Sequence, residues 1–134
     1  MNEFYRYVFI RTDIPFRHQV VQSNHASYHV ASLRGPDTGI PNLVTIGMPN
    51  LASIERVLRK LKANQIPHYA WYEPDNDWGL TAIATAPLEA DSEQRKVLAN
   101  YRVYAPEVSA NTVGSNPTDA RSTLAGCANA GVVV

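Results

Sequence analysis

Cysteine is nearly absent from this chain of 134 residues: the single one, Cys127, excludes an intrachain disulfide. Charge of neither sign is in excess, with 12 Lys and Arg against 12 Asp and Glu. The strongly basic balance that marks many polyanion-binding proteins is therefore missing, and any phosphate contact has to come from a local patch. The opening stretch, MNEFYRYVFIR, has neither the apolar core nor the small-residue cleavage site of a signal peptide. With 45% hydrophobic and 18% charged residues, the composition suggests neither disorder nor a membrane span. These absences lead us to expect a cytoplasmic protein without disulfides.

What is present fits one domain able to bury its own core. Phe4 to Arg11 is aromatic and β-branched with little polar interruption, the pattern of a strand covered on both faces. Asp13 is placed to cap a following helix and Pro15 to occupy its first turn, while Arg17 to about Leu33 contains no Gly or Pro. Val20, Val21, Asn24, Tyr28 and Ala31 or Ser32 recur at helical spacing there. Gly35, Pro36, Asp37 and Gly39 form a loop.

Leu43 to Met48 reads as a second strand, and Asn50 caps a helix with an apolar stripe of Leu51, Ile54, Leu58 and Leu61. Its other face carries Arg56, Arg59, Lys60 and Lys62. After Asn64 and Pro67, His68 to Tyr72 predicts a third strand, Pro74 to Asp77 a turn, and Leu80 to Thr85 a fourth strand. Ser92 to Ala99 predicts a short helix and Tyr101 to Tyr104 a fifth strand. Alternating strands and helices mean a layered α/β domain over residues 1–104. From Ala105 to Val134 the chain turns to Ala, Ser, Thr, Asn, Gly and Pro, which predicts a flexible tail whose closing Gly-Val-Val-Val can dock as a strand.

Several motifs follow this order of elements: Arg11-Thr12-Asp13-Ile14 after the first strand, Gln22-Ser23-Asn24-His25-Ala26 within the first helix, Ile66-Pro67 before the third strand, and Thr81-Ala82-Ile83-Ala84-Thr85-Ala86-Pro87 in the fourth. Together they resemble the type 2 peptidyl-tRNA hydrolases, the archaeal and eukaryotic kind, over roughly Tyr5 to Tyr104. The resemblance implies a three-layer α/β/α sandwich with a mixed sheet of four to five strands, a homodimer, and hydrolysis of the ester joining a peptide to the 3′ end of tRNA. This sequence departs from the family at three places. Its turn before the first helix offers Arg17 and His18 where the family carries glycines and lysines, one of them regarded as catalytic. Glu73 stands where the family has an aspartate. The loop from Pro74 to Trp78 is short and lacks the family's threonine there, although Thr81 matches the threonine on the next strand.

Ester hydrolysis needs a positioned water, a group that takes its proton and a donor for the oxyanion. His18 can act as the base or as a phosphate contact, or it is a solvent-facing residue of the first turn. Glu73 at a strand end is either a catalytic carboxylate or a plain turn residue. Arg17 lies where a helix start favours an anion. Arg11 either contacts substrate or pairs with Asp13 to fix the turn.

Gln22 and His25 face the cleft or hold the helix to the sheet. His18, His25 and His29 can share one helix face at a spacing that permits a metal, but no Cys or carboxylate joins them at a recognisable spacing, so neither metal nor cofactor is expected. The cations of the second helix are either a tRNA-steering patch or a solvated face. Trp71 reads as core, whereas Trp78 beside the polar turn reads as a contact for a terminal base. The expectation is a peptidyl-tRNA hydrolase-like domain with catalytic His18, Glu73 and Thr81, and with Arg11, Arg17, Gln22, His25 and Trp78 binding tRNA or peptidyl-tRNA. The alternatives are a non-catalytic binding module on the same fold, and an interaction protein assembled through its tail.

Overall fold

A computed structural model describes residues 3–34 and 39–105. Five strands and three helices follow in the order β1 (Phe4–Arg11), α1 (Phe16–Arg34), β2 (Asn42–Met48), α2 (Leu51–Ala63), β3 (His68–Glu73), β4 (Gly79–Thr85), β5 (Leu88–Glu89) and α3 (Glu93–Val97). The sheet runs β2-β1-β4-β3; β1 and β2 are parallel across α1, and β4 is antiparallel to both β1 and β3. The period-2 alternation of β1 sorts its side chains between two cores. Tyr7 and Phe9 join the cluster against α2, and Val8 and Ile10 join the cluster against α1. The result is the expected α/β/α sandwich with a mixed sheet.

The fifth strand is not where the sequence placed it. Leu88–Glu89 pairs antiparallel with Phe4 and Tyr5, extending the β4 side of β1 beyond Ala86-Pro87. Proline has no N–H for a ladder, and at this break the side chain of Thr85 takes the amide of Tyr7 at 3.1 Å. Tyr101 to Tyr104 instead makes one antiparallel bridge, Val103 to Ile46, and crosses the edge of β2. Tyr101 meets Phe9 edge-on at 5.2 Å on the α2 side, while the Tyr104 hydroxyl donates to Gln19 of α1 at 2.6 Å. The crossing is tight at Gly47, where a Cβ would lie 3.1 Å from the Thr12 methyl and 3.3 Å from the Tyr104 ring, so these neighbours would have to shift by a few tenths of an ångström to admit a side chain. This strap covers one of the two exposed sheet edges.

Helix α2 has the cap the sequence predicts: Asn50 accepts from the Ser53 amide at 2.9 Å, and the Ser53 hydroxyl takes the Asn50 amide in return. Helix α1 is different. Asp13 does not cap it but binds Arg11, and the helix starts with His18 and Gln19 amides donating to the Pro15 carbonyl. Its buried stripe is Gln19, Gln22, Ala26 and Val30, whereas Val20, Asn24 and Tyr28 from the repeat that signalled the helix are exposed. Apart from Ala105 the expected tail, with Cys127, lies outside the described residues, as do positions 35–38 of the predicted loop.

Candidate functional site

A break in sheet register creates the polar centre of the molecule. Trp71 pairs with Ala82 but Tyr72 pairs with Leu80, so Thr81 is an extra residue on β4, a β-bulge. In an unbroken strand Thr81 would share a face with Ile83, which packs toward α2. The bulge turns it the other way, and its hydroxyl donates to Gln22 Oε1 on α1 at 3.0 Å. Gln22 in turn donates through Nε2 to Glu73 Oε2 at 2.5 Å, and the other Glu73 oxygen accepts the Asp75 amide at 3.2 Å. Thr81 and Gln22 are essentially inaccessible and Glu73 is 5% exposed, so this chain of hydrogen bonds fixes the carboxylate in place.

Two histidines of α1 flank that carboxylate. His18 packs edge-on against Trp78 with ring centroids 5.0 Å apart, and His25 stacks flat on Trp71 at 4.3 Å. Burial holds both imidazoles below their ordinary pKa. The Arg17 charge adds to this at His18 and the His29 charge at His25, while the Glu73 charge opposes it at both. No hydrogen bond joins His18 to Glu73 among the described residues, yet both lie on the α1 side of the sheet within electrostatic reach.

Arg11 serves structure at this end of β1. Its guanidinium pairs with both oxygens of Asp13 at 2.9 Å and donates to the carbonyls of Trp78 and Leu80, which ties the β1–α1 turn to the start of β4. With these acceptors and 7% exposure, Arg11 makes the pairing with Asp13 that fixes the turn. The Thr81 hydroxyl has its nearest acceptor in Gln22 Oε1 at 3.0 Å, with the Trp71 carbonyl at 3.4 Å. Arg17 stands exposed in the first turn of α1.

Sequence reasoning overlooked two features. Gln19 donates to the carbonyls of Ile14 and Thr12 at 2.8 and 3.2 Å and accepts from Tyr104, so it fixes the loop that leads into α1. Its signal was the spacing Gln19, Gln22, Ala26, Val30, a helical stripe with glutamines at its head. The second is an aromatic stack in which His29 lies on Tyr69 at 4.8 Å and on Trp71 at 5.2 Å, beside His25. The two imidazoles lie in near-parallel planes with ring centroids 6.4 Å apart. Among the described residues no group of three or more His, Cys, Asp or Glu is arranged to hold a metal ion. Trp71 Nε1 is buried without a hydrogen-bond partner among those residues.

No family model matches the sequence, and no curated protein matches it. Among solved structures the chain is similar to a protein of unknown function, Atu0240 from Agrobacterium tumefaciens, at 12% identity with a TM-score of 0.59. The match covers 78% of this chain and all of that one. At that identity the likeness extends to the fold, a layered α/β domain.

Proposed function

We infer that the Glu73 cluster is a hydrolytic site for the ester of a peptidyl-tRNA-type substrate. The observation that carries this reading is the bond sequence Thr81–Gln22–Glu73, which joins residues from separate motif stretches of the chain into one buried unit. An ionised carboxylate has about four acceptor sites, so the bonds from Gln22 and Asp75 leave Glu73 able to hold a water. His18, kept below its ordinary pKa, is neutral near pH 7 and can take the proton as that water attacks the ester carbonyl. The imidazolium so formed is stabilised by the Glu73 charge and returns the proton to the departing ribose oxygen. Arg17 and the amides at the start of α1 would face the anionic end of the substrate. Release of labelled peptide from peptidyl-tRNA tests the scheme. Turnover by the wild type that falls at least about a hundredfold in Glu73→Gln and His18→Ala supports it, and equal turnover in all three would refute it.

A second reading is a binding module that has kept the cleft without the chemistry. It is favoured by the same network seen from the other side, because a carboxylate 5% exposed and a threonine committed to Gln22 leave little for a substrate to reach. tRNA binding without turnover, retained in Glu73→Gln, would choose this reading.

A further inference from the structure

On the opposite face of the sheet from the Glu73 carboxylate, α2 and the β3–β4 hairpin frame an open groove of about 320 Å³. Leu58 and Leu80 give it an apolar floor, and the ring of Tyr72 lines it while remaining 57% exposed. Arg59 and Lys62, one helical turn apart on α2, line the same groove and are both exposed. Neither takes part in an ion pair among the described residues, although Glu55 stands four positions before Arg59 and borders the groove too. The sequence left the cations of α2 open between a steering patch and a solvated face. Here they stand beside an apolar floor and an exposed aromatic.

We propose that this groove binds a nucleoside phosphate, with the base laid against Tyr72 and the leucine floor and the phosphate held by Arg59 and Lys62. Inorganic phosphate would leave the aromatic wall unused, and an uncharged aromatic would leave both cations unmatched. A flat ring carrying an anion uses the leucine floor, Tyr72 and both cations, and the volume lies at the small end of the usual range for small-molecule sites. The same chemistry is offered by a free mononucleotide and by the terminal nucleotide of an RNA. The proposal stands apart from the hydrolytic reading, because the groove faces away from Glu73 and its binding can be measured without any turnover.

Calorimetric titration of the full chain with adenosine 5′-monophosphate, adenosine, and a short single-stranded RNA tests it. The monophosphate is expected to bind more tightly than adenosine and to weaken as salt is raised. Tyr72→Leu should weaken binding roughly fivefold to a hundredfold, the range for loss of base stacking. The double variant Arg59→Gln/Lys62→Gln should weaken it at least about tenfold, and Glu55→Gln should tighten it about twofold to fivefold by removing a repelling charge. All of these side chains are at the surface or groove rim, and unchanged thermal melting would show that the variants remain folded. Mononucleotide binding with this variant pattern assigns the groove to free nucleotides. RNA binding with the same pattern, tighter than that of the mononucleotide, assigns it to an RNA end. Failure of both the monophosphate and the RNA to bind, or binding that survives the double variant unchanged, overturns the proposal.

Discussion

Against α2 the sheet presents Phe9, Ile46 and Ile83, and the helix meets them with Ile54, Val57 and Leu61, all essentially inaccessible. Against α1 it presents Ala82 and Ala84, with Val8 and Ile10 beside them, and the helix contributes Ala26, Val30 and the amide of Gln22. The first interface is mostly large aliphatic and aromatic volume, with the Tyr7 hydroxyl accepting from Arg95 at 3.1 Å. The second sets small residues around a buried carboxylate, an amide, a hydroxyl and stacked rings. Burial of apolar surface at about 25 cal/mol per Å² makes the α2 side the main source of stability. Small alanines let α1 approach the sheet closely enough for Gln22 to bridge Thr81 and Glu73.

The largest effect is expected from the apolar side. Phe9→Ala should cost about 3–5 kcal/mol in urea unfolding, and if the cost were under about 1 kcal/mol the assignment of stability to the α2 face would be wrong. Gln22→Leu comes next, because it strips partners from Glu73 and Thr81 together. A loss of about 2–3 kcal/mol is expected, with part of it recovered when Thr81→Val and Glu73→Leu are added, since an apolar cluster leaves nothing unsatisfied. If the triple variant were no more stable than Gln22→Leu alone, the polar side would owe its cohesion to packing and not to the hydrogen bonds.

The smallest effect is with pH. His18 and His25 both have folded pKa values below the ordinary 6.5. Between those folded values and 6.5 the unfolded chain binds more protons than the folded one, so stability declines as pH falls through that window and levels off below it. Thermal melts from neutral to mildly acidic pH should show this decline, and replacing His25 by Phe, which can keep the stack on Trp71, should reduce it. A pH response unchanged in His25→Phe would assign the decline to other groups.

Most of the α2 side was legible in the sequence. Asn50 before an apolar stripe marks a capped helix, and the β-branched and aromatic runs of β1, β2 and β4 mark strands, because local propensity and the final burial agree there. The α1 side was harder to read for the same reason. Its exposed ridge of Phe16, Val20 and Tyr28 is more apolar than the glutamine-headed stripe that faces the sheet, so periodicity identified the helix but not its orientation. Glu73, Gln22 and Thr81 were named from sequence, but their linkage depends on a bulge between Trp71 and Tyr72, which no local pattern announces. Tyr101 to Tyr104 has the composition of a strand, and it became a strap because only one of its residues bridges β2.

The bulge at Thr81 also bears on how such a site can arise and be lost. Removing that one residue would restore regular alternation to β4 while leaving Leu80 directed toward α2 and Ala82 toward α1, each in the core it already occupies. That deletion would end the bond sequence at Gln22, whose bond to Glu73 does not involve Thr81. The hydrophobic core would scarcely register the loss, whereas Gln22 Oε1 would lose the hydroxyl that donates to it.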